Sequence, residues 1–506
     1  MPPERSGLIL VMITLLWAWV ACESAARADG GEGFSRSRGA RLSNPSEVRK
    51  RLGLTPAYDG VNPARMAALK IAVLDYGFDG LENGPRYLPD NAEVVEHYDP
   101  DFVQRHSLGD PNYRKPFEPG NRHGRLMAQI VWGVTGSDPL GPKFFLLNAS
   151  GPTLLRRAVR YAIEARVDVI LFSGSFEGGG DGDGRGPINR IVDEAVGAGI
   201  VWINASGNDG GRVYNGPIRV LSDGYLRLRG GSDVAALRFR NRVDENDVTV
   251  TLTWNDYRDA EDAGTDKDLD LFVEDWAGRL VGSGTKTQVL GETPTGPETS
   301  RNPRERVVLP GLPANPVIPN DPDYCYRIRV RARSNNFTAA DRLRILVSDG
   351  REPFLSPSGA APQEALEFVD ATGDQELYPP ADHPLALTVG DPSPLSSVGP
   401  TADHRVKPEL LIEDSRAFFS DGQVTTGSSN AAAYFAGVVL VLKGAEPRLK
   451  FRDLAILARE GPTLAERART TAEGKRAVPI PESRRALRLW RTPTRDKLTR
   501  LVGPGG

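Results

Sequence analysis

Cysteine is nearly absent: the 506 residues hold two, Cys22 and Cys325. Cys22 falls in an N-terminal segment that reads as cleavable, which leaves Cys325 alone and excludes an intramolecular disulfide. A surplus of either charge is also missing. With 63 basic and 66 acidic side chains the formal net charge is −3, so no global field argues for nucleic acid or anionic lipid as a partner. The mostly apolar stretch 7–21 is too short to span a bilayer comfortably, and no transmembrane segment is expected once it is removed. What remains is ordinary globular composition, 39% hydrophobic and 25% charged, in a length that suggests about three domain-sized units.

Residues 1–28 read as an export signal, with Arg5 before the apolar stretch and Ala26-Arg27-Ala28 as a small-x-small cleavage site. The expected location is secreted or cell envelope. Val20-Ala21-Cys22 also fits a lipoprotein attachment site, which would anchor the chain through Cys22. An N-terminal extension follows at 29–68, with one helix expected at 45–52 after Asn44.

From there the chain alternates strands and helices. The apolar run 71–74 ends at Asp75 and reads as a buried strand of a parallel sheet, whose carboxyl end is where catalytic groups belong. Residues 77–120 read as loop, and His97 and His106 within it match no motif. His123 opens a helix with Leu126, Ile130 and Val131 on one face. A helix at 153–166 and a strand at 167–172 lead to Ser173-Gly174-Ser175. The acidic, glycine-rich 177–186 lacks the ligand order of an EF-hand and reads as a solvated loop. A helix at 187–197 starts with proline, and a strand at 200–203 delivers Asn204-Ala205-Ser206-Gly207-Asn208.

The period then changes to two. Val248, Val250, Leu252 and Trp254 alternate with polar neighbours, as do Tyr326, Ile328 and Val330 with arginines. Residues 213–352 therefore read as an antiparallel β-sandwich, jelly-roll-like, inserted into a first unit made of 69–212 and 353–460. Its two ends must lie close together, and its function is open. Asp268 and Asp270 share a strand face and with Asp266 offer hard oxygens for a structural calcium, against the plainer reading of a solvated face. Residues 461–506 form a basic C-terminal tail, read as a solvated helical face.

One stretch organises the rest. Residues 427–437 read GSSNAAAYFAG and run into an apolar helix; a serine among small residues at a helix N-terminus suits a nucleophile on which negative charge develops. Upstream come Asp75, His123 in NRHGRLMAQIVWG and Asn208 in VWINASGNDGG. Asp, His, Ser is one of the known chain orders for a catalytic triad.

With 396–411, these segments resemble the subtilisin-like serine proteases, or subtilases, whose serine motif is GTSMAAPHVAG and whose histidine motif is HGTHVAG. The resemblance implies an α/β fold with a subtilisin-like parallel sheet flanked by helices. It gives Ser429 as nucleophile, His123 as base, Asp75 as the orienting carboxylate and Asn208 as oxyanion donor. It further implies that Ser173, Gly174 and Ser175 pair with the backbone of a polypeptide substrate, while Ala205, Ser206 and Gly207 wall a side-chain pocket. No cofactor is implied for catalysis. The chain departs from the pattern at Arg125, Leu126, Ser428, Asn430, Ala433 and Tyr434. The expected activity is secreted serine endopeptidase; the rival is a binding protein with a vestigial triad whose sandwich recognises a cell-surface polymer. An esterase is disfavoured because the G-x-S-x-G elbow is absent.

Overall fold

The computed structural model describes residues 41–502 apart from 55–57, 60, 82–87, 96–119, 137–140, 230–234, 261–262, 292–295, 317–323, 350–364 and 472–480. The export segment with Cys22, and the histidines 97 and 106, lie outside the described residues.

Seven strands form one sheet in which every neighbour is parallel. Across it they run Leu410–Leu411, Ala386–Gly390, Val201–Ala205, Val169–Phe172, Lys70–Asp75, Lys143–Asn148 and Glu93–Val95. Their continuous apolar runs are those of strands covered on both faces. Ile71 and Val73 face a core built with the His123–Thr135 and Ser428–Ala445 helices. Ala72 and Leu74 face a second core under the Gly151–Glu164 and Pro187–Gly197 helices. The strands Lys143–Asn148 and Glu93–Val95 escaped the sequence reading, the second because it is three residues long inside a stretch read as loop.

Three adjacent strands end side by side, and this register makes the site. Leu74 pairs with Phe172, which pairs with Asn204. Asp75, Ser173 and Ala205 therefore leave the sheet at one edge. The helix carrying Ser429 is apolar all round and wholly buried through Gly444, the expected character of a helix enclosed by protein. Gly437 lets it close on the His123 helix, since a Cβ there would stand 2.6 Å from Val134 Cβ.

Among the described residues the insert is built on two large antiparallel sheets, with a small parallel pair, Thr287–Gln288 and Thr299–Ser300, beside them. One orders Arg304–Leu312, Asn246–Trp254, Arg342–Ser348 and Val213–Pro217; the other Leu280–Gly284, Leu269–Glu274, Tyr326–Ala332, Leu237–Asn241 and Leu366–Phe368. Val248, Val250 and Leu252 of the first share an apolar cluster with Phe239, Leu271 and Ile328 of the second.

Four readings need correction. The strand Leu366–Phe368 belongs to the insert, which therefore runs past residue 352; its ends meet where the Thr372 N–H donates to the Val213 carbonyl at 2.9 Å. The acidic loop 177–186 is not merely solvated but joins the two units. Thr251 Oγ1 donates to Glu177 Oε2 at 2.8 Å, the Tyr257 N–H to Asp181 Oδ1 at 3.0 Å, and the Gly186 N–H to Asp259 Oδ1 at 3.1 Å. Burial, with Asp183, Asp256 and Asp382 nearby, pushes the Asp181 carboxyl up to about 8. The C-terminal stretch is not a free basic face: Leu487, Leu489 and Leu498 are buried and Trp490 meets Phe435 edge to face. Asn44 precedes the Pro45–Arg51 helix but caps it with no side-chain bond, adopting a left-handed backbone instead. The extension is integral as well, with Val48, Leu52, Tyr58 and Met66 in the main core.

Candidate active site

Asp75 ends its strand buried, and three donors fix its carboxylate. The Tyr76 and Gly77 N–H groups donate to Oδ1 at 2.7 and 3.0 Å, and His123 Nδ1 meets Oδ2 at 2.7 Å. With its proton on Nδ1, the imidazole keeps Nε2 as its basic atom. Glycines permit this closeness. A Cβ at Gly124 would stand 2.5 Å from Asp75 Cβ, so the residue after His123 must be the one without a side chain if the helix is to reach the strand.

Ser429 lies in the first turn of its helix, where backbone N–H groups have no intrahelical partner. Its hydroxyl donates to the Ser173 carbonyl at 3.3 Å, and the Ser173 hydroxyl donates to the Ser429 carbonyl at 3.4 Å. The hydroxyl of Ser429 thus rests on the strand expected to hold substrate.

Asn208 is oriented by Ser428, whose N–H and Oγ both donate to Asn208 Oδ1, at 3.1 and 3.0 Å. That turns the amide nitrogen away from Ser428, and among the described residues Nδ2 has no hydrogen-bond partner. Ser428 was noted in the sequence only as a departure from the family's threonine; its hydroxyl also accepts the Gly207 N–H at 3.1 Å. A hydroxyl at that place is the signal that could have found it.

Beside the nucleophile, Ser173, Gly174 and Ser175 face Ala205, Ser206 and Gly207 across adjacent strand ends, tied where Asn204 Nδ2 donates to the Gly174 carbonyl at 3.2 Å. Ser206 Oγ is 3.0 Å from Ser396 Oγ, bringing in the 396–411 segment. The other departures are accommodated. Arg125 donates to the Asp79 carbonyl at 2.5 Å, Asn430 Nδ2 to the Ser415 carbonyl at 2.9 Å, and Tyr434 to the Arg416 carbonyl at 2.8 Å.

The aspartates read as calcium ligands do not make a site. Asp266 is exposed, Asp270 has Arg333 at 3.5 Å supplying a positive charge, and among the described residues no group of three His, Cys, Asp or Glu could hold a metal. No described helix is long and apolar enough to cross a membrane.

A carboxylate holding an imidazole, a serine at a buried helix start and an unengaged amide beside it make up the constellation of a serine hydrolase. The chain belongs to the subtilase family, whose model matches residues 67–478; it is a serine peptidase, and its substrate class is polypeptide. Among solved structures it is similar to the Clostridium perfringens CspB protease, at 15% identity over 90% of this chain and 97% of that one with a TM-score of 0.51, which shows a shared fold. MycP1 from Mycobacterium smegmatis is also similar, at 15% identity over 82% of this chain and 78% of that one, with a TM-score of 0.34. No curated protein matches it.

Proposed function

We propose that the protein is an endopeptidase that cleaves internal peptide bonds through an acyl-enzyme on Ser429. The observation that carries this reading is the 2.7 Å bond from His123 to a buried Asp75 at the same sheet edge as Ser429. When substrate binds, rotation about the Ser429 Cα–Cβ bond exchanges the Ser173 carbonyl for His123 Nε2; catalytic hydrogen bonds commonly tighten only in the complex. His123 takes the hydroxyl proton as Oγ attacks the carbonyl carbon, and Asp75 stabilises the imidazolium. Asn208 Nδ2 and the Ser429 N–H receive the oxyanion. Collapse expels the amine with the proton from His123, and water repeats the sequence on the ester. The N-terminal segment supports an exported enzyme, acting outside the cell or in the envelope.

The test is labelling with a fluorophosphonate probe. The parent should label, while Ser429→Ala should not, with turnover lower by about 10⁶, as in subtilisin. Equal labelling of Ser429→Ala would remove the nucleophile from this scheme.

A further inference from the structure

A cation from the C-terminal stretch reaches the back of the catalytic site. Arg484 lies in the short helix Glu482–Arg485 and is buried. Its guanidinium closes on the loop that follows the strand Ala386–Gly390. Nη1 donates to the Ser393 carbonyl at 2.8 Å, and Nη2 donates to the Pro394 and Ser396 carbonyls at 2.8 and 2.6 Å. The carbonyl between them, that of Leu395, accepts the Gly210 N–H at 2.9 Å. A planar guanidinium carries donors on separate nitrogens and can serve all three carbonyls, whereas a lysine ammonium is a single point.

That loop holds Asn208. Ser397, next along it, grips the residues on both sides of the asparagine: its N–H donates to the Gly207 carbonyl and its Oγ accepts the Asp209 N–H, both at 2.9 Å. Glu376 accepts the Gly211 N–H on Oε1 at 2.7 Å and the Val398 N–H on Oε2 at 3.0 Å, and Arg484 Nη2 stands 4.0 Å from Oε2 of this buried carboxylate. Asp391, also buried, lies within electrostatic reach of Arg484. It accepts a bond from Ser415 Oγ at 2.7 Å, and Ser415 Oγ accepts the N–H of Gly427, the residue before the nucleophile's helix, at 3.2 Å. Burial pulls the guanidinium below its ordinary range, and Glu376 and Asp391 push it back.

Loss of the guanidinium would take a donor from three carbonyls and the cation from two buried carboxylates. Such a cost is enough to displace a loop that contains no helix or strand. Ser397 would move with it, and Asn208 would follow, because both of its neighbours hang on Ser397. The amide serves only if it stands within bond distance of the oxygen on which charge develops. We infer that Arg484 is a positioning residue for catalysis, fixing the 393–397 loop so that Ser397 aims the Asn208 amide at the oxyanion. This role belongs to the acyl-enzyme scheme above and rests on it. A tie that merely fastened the C-terminal stretch to the fold would stabilise the chain without acting through Asn208.

A double-mutant cycle with Asn208→Ala separates the two roles. Arg484→Met and Arg484→Lys are each made with Asn208 present and in the Asn208→Ala background. Casein hydrolysis and the second-order rate of fluorophosphonate labelling are measured well below the lowest Tm, per folded molecule by circular dichroism. With Asn208 present, Arg484→Met should lower both rates by about ten- to a hundredfold and Arg484→Lys by about tenfold, the scale of a misplaced oxyanion donor. In the Asn208→Ala background either change should cost less than about threefold, because the group it aims is gone. Unchanged rates with Asn208 present, or equal losses in both backgrounds, overturn the assignment. Should Arg484→Met fail to fold, Arg484→Lys decides by the same criteria, since it keeps a cation beside Glu376 and Asp391. A labelled, active parent with equal losses refutes the role of Arg484 alone. A parent that neither labels nor cleaves refutes the hydrolase and this assignment with it.

Discussion

Gly124→Ala would place one methyl group between the two halves of the acid–base pair. Its Cβ would stand 2.5 Å from Asp75 Cβ, 2.6 Å from Phe78 Cε1 and 2.9 Å from Asp75 Cγ, where carbon atoms prefer about 3.5–4.0 Å. Roughly 1 Å must therefore be found. Asp75 cannot supply it, being held by the Tyr76 and Gly77 N–H groups, and Phe78 is wholly buried. The helix must retreat, and His123 is its first residue. A displacement of about 1 Å from the productive geometry costs about 10² in rate. Stability should suffer less: overpacking costs about 1–3 kcal/mol, while alanine gains about 1 kcal/mol over glycine within a helix. The expected enzyme thus folds with a modestly lower Tm and loses about a hundredfold in kcat. Gly133→Ala, on the same helix but far along from the pair, is the control, since its Cβ would meet Leu42 of the N-terminal extension; it should lower Tm and spare kcat. Measuring kcat, KM and Tm on one preparation of each decides the matter. A Gly124→Ala enzyme that keeps more than about a third of parental kcat, or loses activity only in step with its unfolded fraction, refutes the reasoning.

Asn208→Ala should lower kcat by about 10²–10³ while leaving KM near the parental value, because the amide acts on charge that exists only in the transition state; a raised KM with intact kcat would make Asn208 a substrate-binding group instead. Asp181→Asn tests the joint between the units. The folded carboxyl titrates near 8 against an ordinary 3.8, so the unfolded chain releases this proton first and folded stability falls as pH rises between those values. The variant should melt higher than the parent at pH 8, by on the order of a few kcal/mol in stability, with the gain vanishing near pH 4; equal melting at pH 8 would show that the carboxyl is not strained by burial. Removal of residues 486–506 would strip Leu487, Leu489 and Leu498 from the core, at roughly 1.5–3 kcal/mol for each buried leucine. An unchanged denaturation midpoint would mean that this stretch does not brace the catalytic unit.

How much of this was readable from the chain depended on how far each group's partners lie from it in sequence. Asp75, His123, Asn208 and Ser429 each follow or open an apolar run, so local periodicity placed them at strand ends and helix starts, where the structure has them. The hydroxyl's resting bond to Ser173 was not readable, because it joins a helix start to a strand end 256 positions away, a contact that no local pattern states. The acidic loop looked solvated because Thr251, Tyr257 and Asp259, which hold it, are on the insert some 70 positions away. The insert's last strand is three residues long, too short for a period of two to register. In the C-terminal stretch, Leu487 and Leu489 fix their surroundings through isolated contacts with the sheet edge, as where Leu489 lies beside Leu411.

The position of the insert follows from the same geometry. The chain leaves the sheet at Ala205, passes Asn208 and enters the insert at Val213; the neighbouring strand leaves at Phe172, passes Ser173 and reaches the insert through Glu177 and Asp181. Both walls of the cleft are thus anchored on one foreign domain within a few residues of the catalytic groups. Closing a loop of about 160 residues costs only a slowly growing entropy, provided that its ends meet, and here they meet in the bond between Thr372 and Val213. The sheet can therefore keep Asn208 beside Ser428 although the insert separates them in sequence. The parallel sheet and the bond from Asn204 Nδ2 to the Gly174 carbonyl already fix the spacing of the two strand ends, so the insert holds only the loops that continue them.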